Sequence, residues 1–548
     1  MSKLESCIHF SKSDRKGQAL IVSYMIISVF VIIFSALLLR AVNEKNLSLR
    51  NKLETEAFYM AEGAIEDAIS QFAYSIANYE VLPDILSMPV TTTFTTFGEA
   101  TVDSVVMRLE ESDRLVLEGA TNVLVRNYEV TATATHPRNN TITVELHQIV
   151  ARRLIPTFQH AVFYNDDLEI LPGANMTLSG RIHSNKDIYI DAESGKTLTV
   201  DSFSLHSAGD IYNQRKDTGL PIAGEVAIRV TKTGSPKYDN MNNLDSDSPT
   251  WTTESIERWK GTVQNSVHGV TKLTAPSVAS IQPDGYYSSK ADVIITNNTI
   301  TKGGFPLVEG EDYPVGTITE STTLYNNREG KYIRTTNVDL KKLSGVGYTK
   351  PGGGSYDNNL PSNGLLYATR DDAGTNYEPG IRLINGSEIN KSIGVTIVSD
   401  DPVYVQGDYN TVNEKPASVI CDSVNLLSNG WDDSRSAQTL DLRIPTQTTV
   451  NSAFIAGVDT TSSGNYNGGL ENYPRLHEKW SSTPLNIKGS FVALWNSAIA
   501  TGSWVYGSPQ YTAPTRNWQY NSDFNDTSKL PPFTPWAVEI GRIAWWKE

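Results

Sequence analysis

The sequence Arg15-Lys16-Gly17-Gln18-Ala19-Leu20-Ile21-Val22 decides the fold, because it opens an apolar run that continues to Leu39. Gln18 to Leu39 is 22 residues without a charge. At about 1.5 Å per helical residue the run spans roughly 33 Å, enough for a bilayer core of about 30 Å. It is longer than the apolar part of a secretory signal, about 7–15 residues, and no A-x-A cleavage site closes it. The run therefore predicts one membrane-spanning helix.

Basic residues predict the orientation of this helix. Lys12, Arg15 and Lys16 precede it, so the positive-inside rule places residues 1–17 in the cytoplasm and the rest of the chain outside. Gly17 separates the basic pair from the apolar run. A peptidase at the cytoplasmic face could cut after Gly17 and leave the apolar helix on the mature chain. The alternative is an uncleaved single-span anchor.

The helix is expected to continue beyond the membrane. Residues 41–79 contain no proline and a single glycine, Gly63, and apolar residues recur every three to four positions from Leu49 to Ile76. This pattern predicts one helix over 18–79, apolar in its first half and amphipathic in its second, with a length of roughly 90 Å. A coiled-coil stalk is the alternative, but no a/d heptad is sustained.

Two stretches carry a family resemblance. Gly17-Gln18-Ala19-Leu20 and Glu56-Ala57-Phe58-Tyr59-Met60-Ala61-Glu62-Gly63-Ala64 resemble the N-terminal region of PilX-type minor pilins of type IV pili. The resemblance covers about residues 10–150. It implies that a prepilin peptidase cuts between Gly17 and Gln18, and that the helix associates with other minor pilins or pseudopilins. It also implies a bacterial inner-membrane protein with one span and a periplasmic or extracellular C-terminal domain, or a place in a surface filament.

One residue departs from the pattern of that family. Most major pilins carry a glutamate at the fifth mature position, where it neutralises the terminal amine of a neighbouring subunit. Counted from Gln18, the fifth residue here is Val22. In this respect the chain resembles tip-type minor pilins and the K pseudopilin of type II secretion, which implies a tip or initiating subunit.

Composition bounds the remaining function classes. The 548 residues are enough for about two to four domains. The net charge of −15 gives no electrostatic footprint for phosphates, so no nucleic-acid partner is expected. The two cysteines are Cys7 and Cys421, and removal of residues 1–17 would leave only Cys421, so no intrachain disulfide is predicted.

The chain after the helix reads as β structure in two parts. Residues 80–153 predict a small four-stranded antiparallel sheet packed on the helix, with His136 and His147 as solvated side chains. Residues 154–548 contain strands of three to five residues between closely spaced turns, which predict a parallel β-solenoid with insertions near 232–276 and 345–362. A β-sandwich is the alternative. The predicted fold is thus an α+β pilin-like module followed by a mostly-β domain.

The C-terminal part carries a second resemblance. Pro379-Gly-Ile-Arg-Leu-Ile-Asn-Gly-Ser and Leu427-Ser-Asn-Gly-Trp-Asp-Asp-Ser resemble a domain that is often fused to PilX-like N-termini in large bacterial proteins. No biochemical activity is established for that domain. The resemblance therefore implies an architecture and no particular chemistry.

No catalytic motif stands out, and no enzyme activity is predicted. The sequence lacks a G-x-S-x-G motif, a P-loop, an H-E-x-x-H motif and a Cys/His zinc spacing. A membrane-tethered carbohydrate-active enzyme is the rival hypothesis, with Asp166, Asp167, Arg181 and His183 as its candidate cluster. Polar turn and rung residues are the plainer interpretation of that cluster.

Calcium is the one cofactor that the sequence raises. Paired carboxylates at Asp166-Asp167 and Asp432-Asp433 could supply oxygen ligands to Ca²⁺. The alternative at both pairs is a solvated turn.

Tryptophans crowd the C-terminal end, with six of ten in the last 54 residues. Exposed aromatic side chains can stack on sugars or anchor a partner. They can also cap an open solenoid end, which would otherwise expose an apolar cross-section. The residues named for this candidate aromatic surface are Trp504, Trp518, Trp545 and Trp546.

Overall fold

The computed structural model describes residues 15–548 except 97–98, 119–120, 232–233, 463–465 and 505–509. The α-helices are α1 (Arg15–Ala77), α2 (Trp251–Trp259), α3 (Tyr286–Lys290) and α4 (Leu340–Leu343). The strands of the first 160 residues are β1 (Ser87–Phe94), β2 (Ala100–Arg108), β3 (Arg114–Glu118), β4 (Thr121–His136) and β5 (Asn139–Pro156).

Most of the following strands are short. From 162 to 264 they are β6 (Val162–Tyr164), β7 (Leu168–Ile170), β8 (Met176–Ser179), β9 (Ile182–Ser184), β10 (Ile188–Ile190), β11 (Thr197–Asp201), β12 (Leu205–Ser207), β13 (Ile211–Tyr212), β14 (Glu225–Arg229), β15 (Tyr238–Asn240) and β16 (Val263–Gln264). From 293 to 406 they are β17 (Val293–Thr296), β18 (Thr299–Lys302), β19 (Phe305–Pro306), β20 (Ile318–Asn326), β21 (Lys331–Asp339), β22 (Leu365–Thr369), β23 (Tyr377–Ile384), β24 (Val395–Val398) and β25 (Val403–Gln406). The last are β26 (Ala417–Cys421), β27 (Val424–Leu427), β28 (Thr448–Ala456), β29 (Arg475–Leu476), β30 (Pro484–Ala493), β31 (Thr515–Tyr520) and β32 (Trp536–Lys547).

The long helix α1 has two halves with different surroundings. Residues 17–52 are all exposed, including Leu49, which the sequence pattern had assigned to the packed stripe. From Leu53 onward one stripe is buried, at the three- and four-residue spacing of a helix face. The helix ends at Ala77, two residues earlier than predicted, and Tyr79 adopts a positive φ of 61°. Lys12 and the side chains of Arg15 and Lys16 lie outside the described residues.

The buried half of α1 packs against an antiparallel sheet, as the predicted fold class requires. The sheet has the order β1-β2-β4-β5-β32, with β3 paired to β4. Phe72 lies at the centre of this core, fully buried, with its ring centroid 4.7 Å from that of Tyr128. The predicted combination of a long helix, a small antiparallel sheet and a large mostly-β region is confirmed.

The last strand corrects the predicted domain boundary. Residues 154–548 were assigned as a whole to the β-solenoid, but β32 leaves that region and pairs antiparallel with β5, from Trp536 opposite Pro156 to Lys547 opposite Leu146. Val538 on β32 is buried in the cluster that α1 forms with the sheet, so the strand completes that core. We call residues 15–156 with 536–548 the helix–sheet module, and residues 157–535 the coil domain.

The coil domain is built mainly from parallel ladders of short strands. In its first arm, β6-β9-β12-β16, β7-β10-β13 and β8-β11-β14 form three such ladders. Leu168, Ile188 and Ile211 occupy matching positions in successive coils and are fully buried, so identical positions stack along the interior. Antiparallel pairs between the described strands of the coil domain are confined to β14–β15, β17–β18, β18–β19 and β20–β21. The pairing is that of stacked coils and not that of an antiparallel β-sandwich.

The chain enters and leaves the stack in its middle. The spatial order of the main ladder is β16-β12-β9-β6-β30-β28-β26-β24-β22-β17, so the first coil, at β6, pairs with one of the last, at β30. β6 follows β5 directly, and β31, beside β30, precedes β32. The coil domain is therefore an insertion between two hydrogen-bonded neighbours of the module's sheet.

Within the described residues, both predicted insertions belong to the coil domain. In the first of them α2 spans Trp251–Trp259 and ends there, since Lys260 adopts a positive φ of 55°. The second, at 345–362, is held in place by Tyr356. Its side chain is buried, and its hydroxyl donates to the Gly310 carbonyl at 3.0 Å.

Replacing Phe72 with alanine tests the packing of α1 on the sheet. The cavity and lost burial should lower the free energy of unfolding by about 3–5 kcal/mol. Tyr74→Ala is the matched control, because Tyr74 lies two residues further on the same helix and is 48% exposed. Urea unfolding of the full chain in detergent measures both variants, and an equal loss in the two would contradict this packing.

Candidate functional site: the exposed half of the helix

The exposed half of α1 is an apolar surface that no other part of the described chain covers. An 18-residue window within Gly17–Ala77 has a mean hydropathy of 2.7, and none of it is buried against the rest of the chain. Contiguous apolar patches above a few hundred Å² mark a membrane or a protein contact. α1 is the candidate membrane span of the described residues.

The chemistry of the helix surface changes after Leu39. Arg40 and Glu44 pair at 2.9 Å, one turn apart, and Arg50 and Glu54 repeat the same pairing. All four side chains are exposed, so these pairs contribute little stability, and their main effect is to make this segment compatible with water. Residues 40–52 thus form a polar connection between the apolar run and the module.

A hydrogen bond to a buried histidine marks the point where α1 meets the sheet. His136 is fully buried, and its Nε2 lies 2.8 Å from Glu56 Oε2. The hydrogen bond from His136 lowers the pKa of the Glu56 carboxyl. The expectation that His136 is solvated is wrong. His136 is the last residue of β4, and its ring contacts Glu56 in the packed half of α1.

The helix also contacts the returning strand β32 and the coil domain. Arg542 on β32 pairs with Glu66 on α1. Beyond the end of the helix, the ring of Tyr79 stacks on that of Tyr286 with centroids 3.6 Å apart, and Asn78 Oδ1 accepts from the Ser277 backbone N–H at 2.8 Å. The orientation of the helix is thereby tied to both parts of the protein.

The carboxylates proposed for calcium are engaged by other groups of the protein. Asp166 pairs with Lys186 at 2.7 Å and Asp167 with Lys216 at 2.8 Å. Each lysine competes with a cation for its carboxylate, and calcium binding at these two residues stays a prediction.

The second candidate pair has the same outcome. Asp432 Oδ1 accepts from the Ser434 backbone N–H at 2.9 Å, which caps a short 3₁₀ turn. Asp433 Oδ1 accepts from Arg382 and Trp431 at 2.7 and 2.8 Å. The two carboxylates thus serve different local contacts.

The candidate catalytic cluster is divided by the structure. Arg181 and His183 line a cavity of about 230 Å³ between the coil domain and the module, but Asp166 and Asp167 are not among its lining residues. Burial lowers the pKa of His183 to about 4. The cavity contains histidine and arginine side chains and a single glutamate, Glu539, and not the pair of carboxylates that glycoside hydrolysis uses.

The four tryptophans do not form one aromatic surface. Trp518 on β31 is 4% exposed, and Trp504 is partly buried against the core of the coil domain. Trp545 and Trp546 lie instead on β32 in the module, and Trp545 is 62% exposed. The last two therefore neither cap the coil stack nor share a surface with the first two.

Comparison with known proteins identifies no family for this chain. The chain matches no protein-family model and no curated protein. Among solved structures it aligns with the competence-associated pilin ComZ from Thermus thermophilus, with 9% identity over 91% of this chain and 98% of that one, at a TM-score of 0.23. At that TM-score the alignment carries no argument, so functional inference rests on the residues of this chain.

The buried histidine of the cavity makes a testable contribution to pH dependence. In the unfolded chain the His183 pKa is near the ordinary value of about 6.5, and in the folded chain it is about 4. Below about pH 6.5 the unfolded chain binds a proton that the folded chain does not. Stability from this group is therefore present at pH 7 and falls, by about 2 kcal/mol, on going to pH 5.

His183→Asn should reduce the loss of unfolding free energy between pH 7 and pH 5 by about 2 kcal/mol. Gln264→Asn, which changes a neutral residue of the same cavity, should keep the wild-type slope. Urea midpoints across this pH range measure both. Parallel profiles for the wild type and His183→Asn would contradict the assignment.

Proposed function

We propose that the protein is a minor pilin-like or pseudopilin-like subunit of a type IV pilus or a related type II secretion filament. The observation that carries this proposal is the division of α1. Its first half is apolar and has no partner within the described chain, and its second half is packed on an antiparallel sheet. A subunit that moves from a membrane into a filament needs both halves.

The first half gains stability only in an apolar environment. Burial of apolar surface is worth about 25 cal/mol per Å², so exposing an unbroken run of 22 residues to water is strongly unfavourable. Lipid tails satisfy this run in the membrane, and helix–helix packing in a filament core replaces them. The same surface therefore serves as anchor and as assembly contact.

Processing at Gly17 is part of the proposal. A prepilin peptidase of the inner membrane removes residues 1–17 and leaves Gln18 as the first residue. The basic residues before Gly17 and the resemblance to PilX-type minor pilins support this step. Gly17 itself lies in α1 with no heavy atom within 4 Å of an added Cβ, so a substitution there does not disturb the fold.

A tip or initiating position fits two features of the chain. A subunit placed beneath others needs a side chain that neutralises the terminal amine of its neighbour. Val22 cannot do this. The coil domain, residues 157–535, also occupies more of the chain than the module and has to be accommodated beside its neighbours. A subunit at the end of a filament has fewer neighbours, so a large coil domain meets fewer steric conflicts there.

The proposal assigns the chain no catalytic role. Asp166 and Asp167 are paired with lysines and lie outside the cavity that Arg181 and His183 line. The coil domain is presented outward for assembly or adhesion, through its surface and not through a reaction.

Processing is tested by the N-terminal sequence of the chain co-expressed with a prepilin peptidase. We expect it to begin at Gln18, and Gly17→Leu to leave it uncut. Ser28→Leu is the matched control, since it adds the same side chain at an exposed position further along the helix and should be cut as the wild type is. A wild-type chain that still begins at Met1 would contradict the processing step and leave an uncleaved surface anchor as the interpretation.

Position in the filament is tested separately. The chain carrying an epitope after Gly353, in a turn open to solvent, should label one end of sheared filaments by immunogold electron microscopy. Regular labelling along the shaft would exclude a tip position, and the proposal that the protein is a pilin-like subunit would still stand. A major pilin labelled in the same way provides the control for shaft labelling.

A further inference from the structure

Three side chains from the adjacent strands β5 and β32 and the residue after β32 meet on the outer face of the module. Glu145 and His147 lie on β5, and Glu548 follows β32. One ligand atom from each lies within 4.8 Å of the other two. The backbone N–H of Glu548 donates to the Glu145 carbonyl at 3.0 Å, which keeps the two glutamates opposite one another.

The histidine is oriented as a metal ligand would be. Nδ1 lies 3.0 Å from Glu129 Oε1, and when Nδ1 carries the ring proton and donates to that carboxylate, the lone pair is on Nε2. Nε2 is buried, has no hydrogen-bond partner, and lies 3.2 Å from Glu145 Oε1. In metal sites, the ring nitrogen of a ligating histidine that does not bind the metal commonly donates to a carboxylate.

The neighbouring groups support the same arrangement. The Thr133 hydroxyl donates to Glu145 Oε2 at 3.3 Å and thereby orients that carboxylate. Trp546 stacks on the His147 ring with centroids 4.8 Å apart and the planes parallel, which shields the imidazole from water. Glu145 and Glu548 face each other as like charges across paired strands, an arrangement that is unfavourable unless a cation lies between them.

We propose that Glu145, His147 and Glu548 bind a divalent transition-metal cation of the zinc type. At Zn–N and Zn–O distances of about 2.0–2.2 Å, two ligand atoms of a tetrahedral site are about 3.4 Å apart. The 3.2 Å between His147 Nε2 and Glu145 Oε1 is close to that value. Imidazole favours zinc, copper and nickel over calcium, which takes oxygen ligands only. This site is distinct from the carboxylate pairs that the sequence suggested for calcium.

The position of the site indicates what the cation does. Its ligands come from β5 and from the residue after β32, the two strands between which the coil domain is inserted. A cation that bridges them fastens the returning strand and closes the module. The inference does not depend on the pilin-like function, because the site belongs to the module's own sheet.

The test uses the full chain in detergent, without a polyhistidine tag and stripped of metal by a chelator. Zn²⁺ titration against a chromophoric chelator should give one site per chain, and millimolar Ca²⁺ should not compete. His147→Gln should weaken Zn²⁺ binding by at least about 100-fold, and Glu129→Gln by about 10–100-fold. Zn²⁺ should also slow hydrogen exchange in β32 of the wild type and not of His147→Gln.

Controls distinguish this site from the histidine-lined cavity and from misfolding. His206→Gln changes a histidine of that cavity and should bind Zn²⁺ as the wild type does. Glu548→Gln changes a side chain at the exposed end of the sheet and should weaken binding while the circular dichroism spectrum stays native. The proposal is overturned if the wild type binds no Zn²⁺ at micromolar concentration, if His147→Gln binds it unchanged, or if Ca²⁺ displaces it.

Discussion

The apolar half of α1 has no covering surface in the described chain, and this constraint governs the rest of the structure. Residues 17–52 are exposed throughout, whereas the stripe that begins at Leu53 is buried against the sheet. The exposed and the buried parts belong to one unbroken helix. The helix therefore fixes the distance between the module and the apolar environment of its first half. The Glu56–His136 pair marks the start of the packed half.

A second constraint follows from the pairing of β5 with β32. Because these strands are neighbours, the coil domain must leave and return at one edge of the module's sheet. Its stack satisfies this requirement by starting in the middle, where β6 pairs with β30, and by extending in both directions from there. The coil domain is therefore joined to the module by two adjacent strands, with further contacts at Tyr79 and Asn78.

Features encoded locally could be predicted from the sequence. Hydropathy located the run from Gln18 to Leu39, and the helical period located the buried stripe, apart from Leu49. The short strands and closely spaced turns indicated the β-rich region. In each case the signal lies within a few turns of the chain, and the structure places the corresponding elements where the pattern predicts them, with the two ends of α1 shifted by three and two residues.

Features that depend on distant partners were missed. Nothing in the sequence of β32 shows that it pairs with β5, so Trp545 and Trp546 were assigned to the wrong part of the protein. Asp166 and Asp167 looked available to a cation because Lys186 and Lys216 come from later coils. His147 was expected to be solvated, and its enclosure comes from Trp546 at the far end of the chain.

Cysteine accessibility in intact cells tests the central claim most directly, namely that residues 18–39 span the membrane and all that follows lies outside. In a Cys7→Ser background, where the remaining Cys421 is buried, Ser28→Cys and Asn46→Cys are exposed in turn to a membrane-impermeant maleimide. The account predicts labelling at position 46 and none at position 28. Labelling at position 28, or labelling at position 46 only after the cytoplasm is opened, would contradict it.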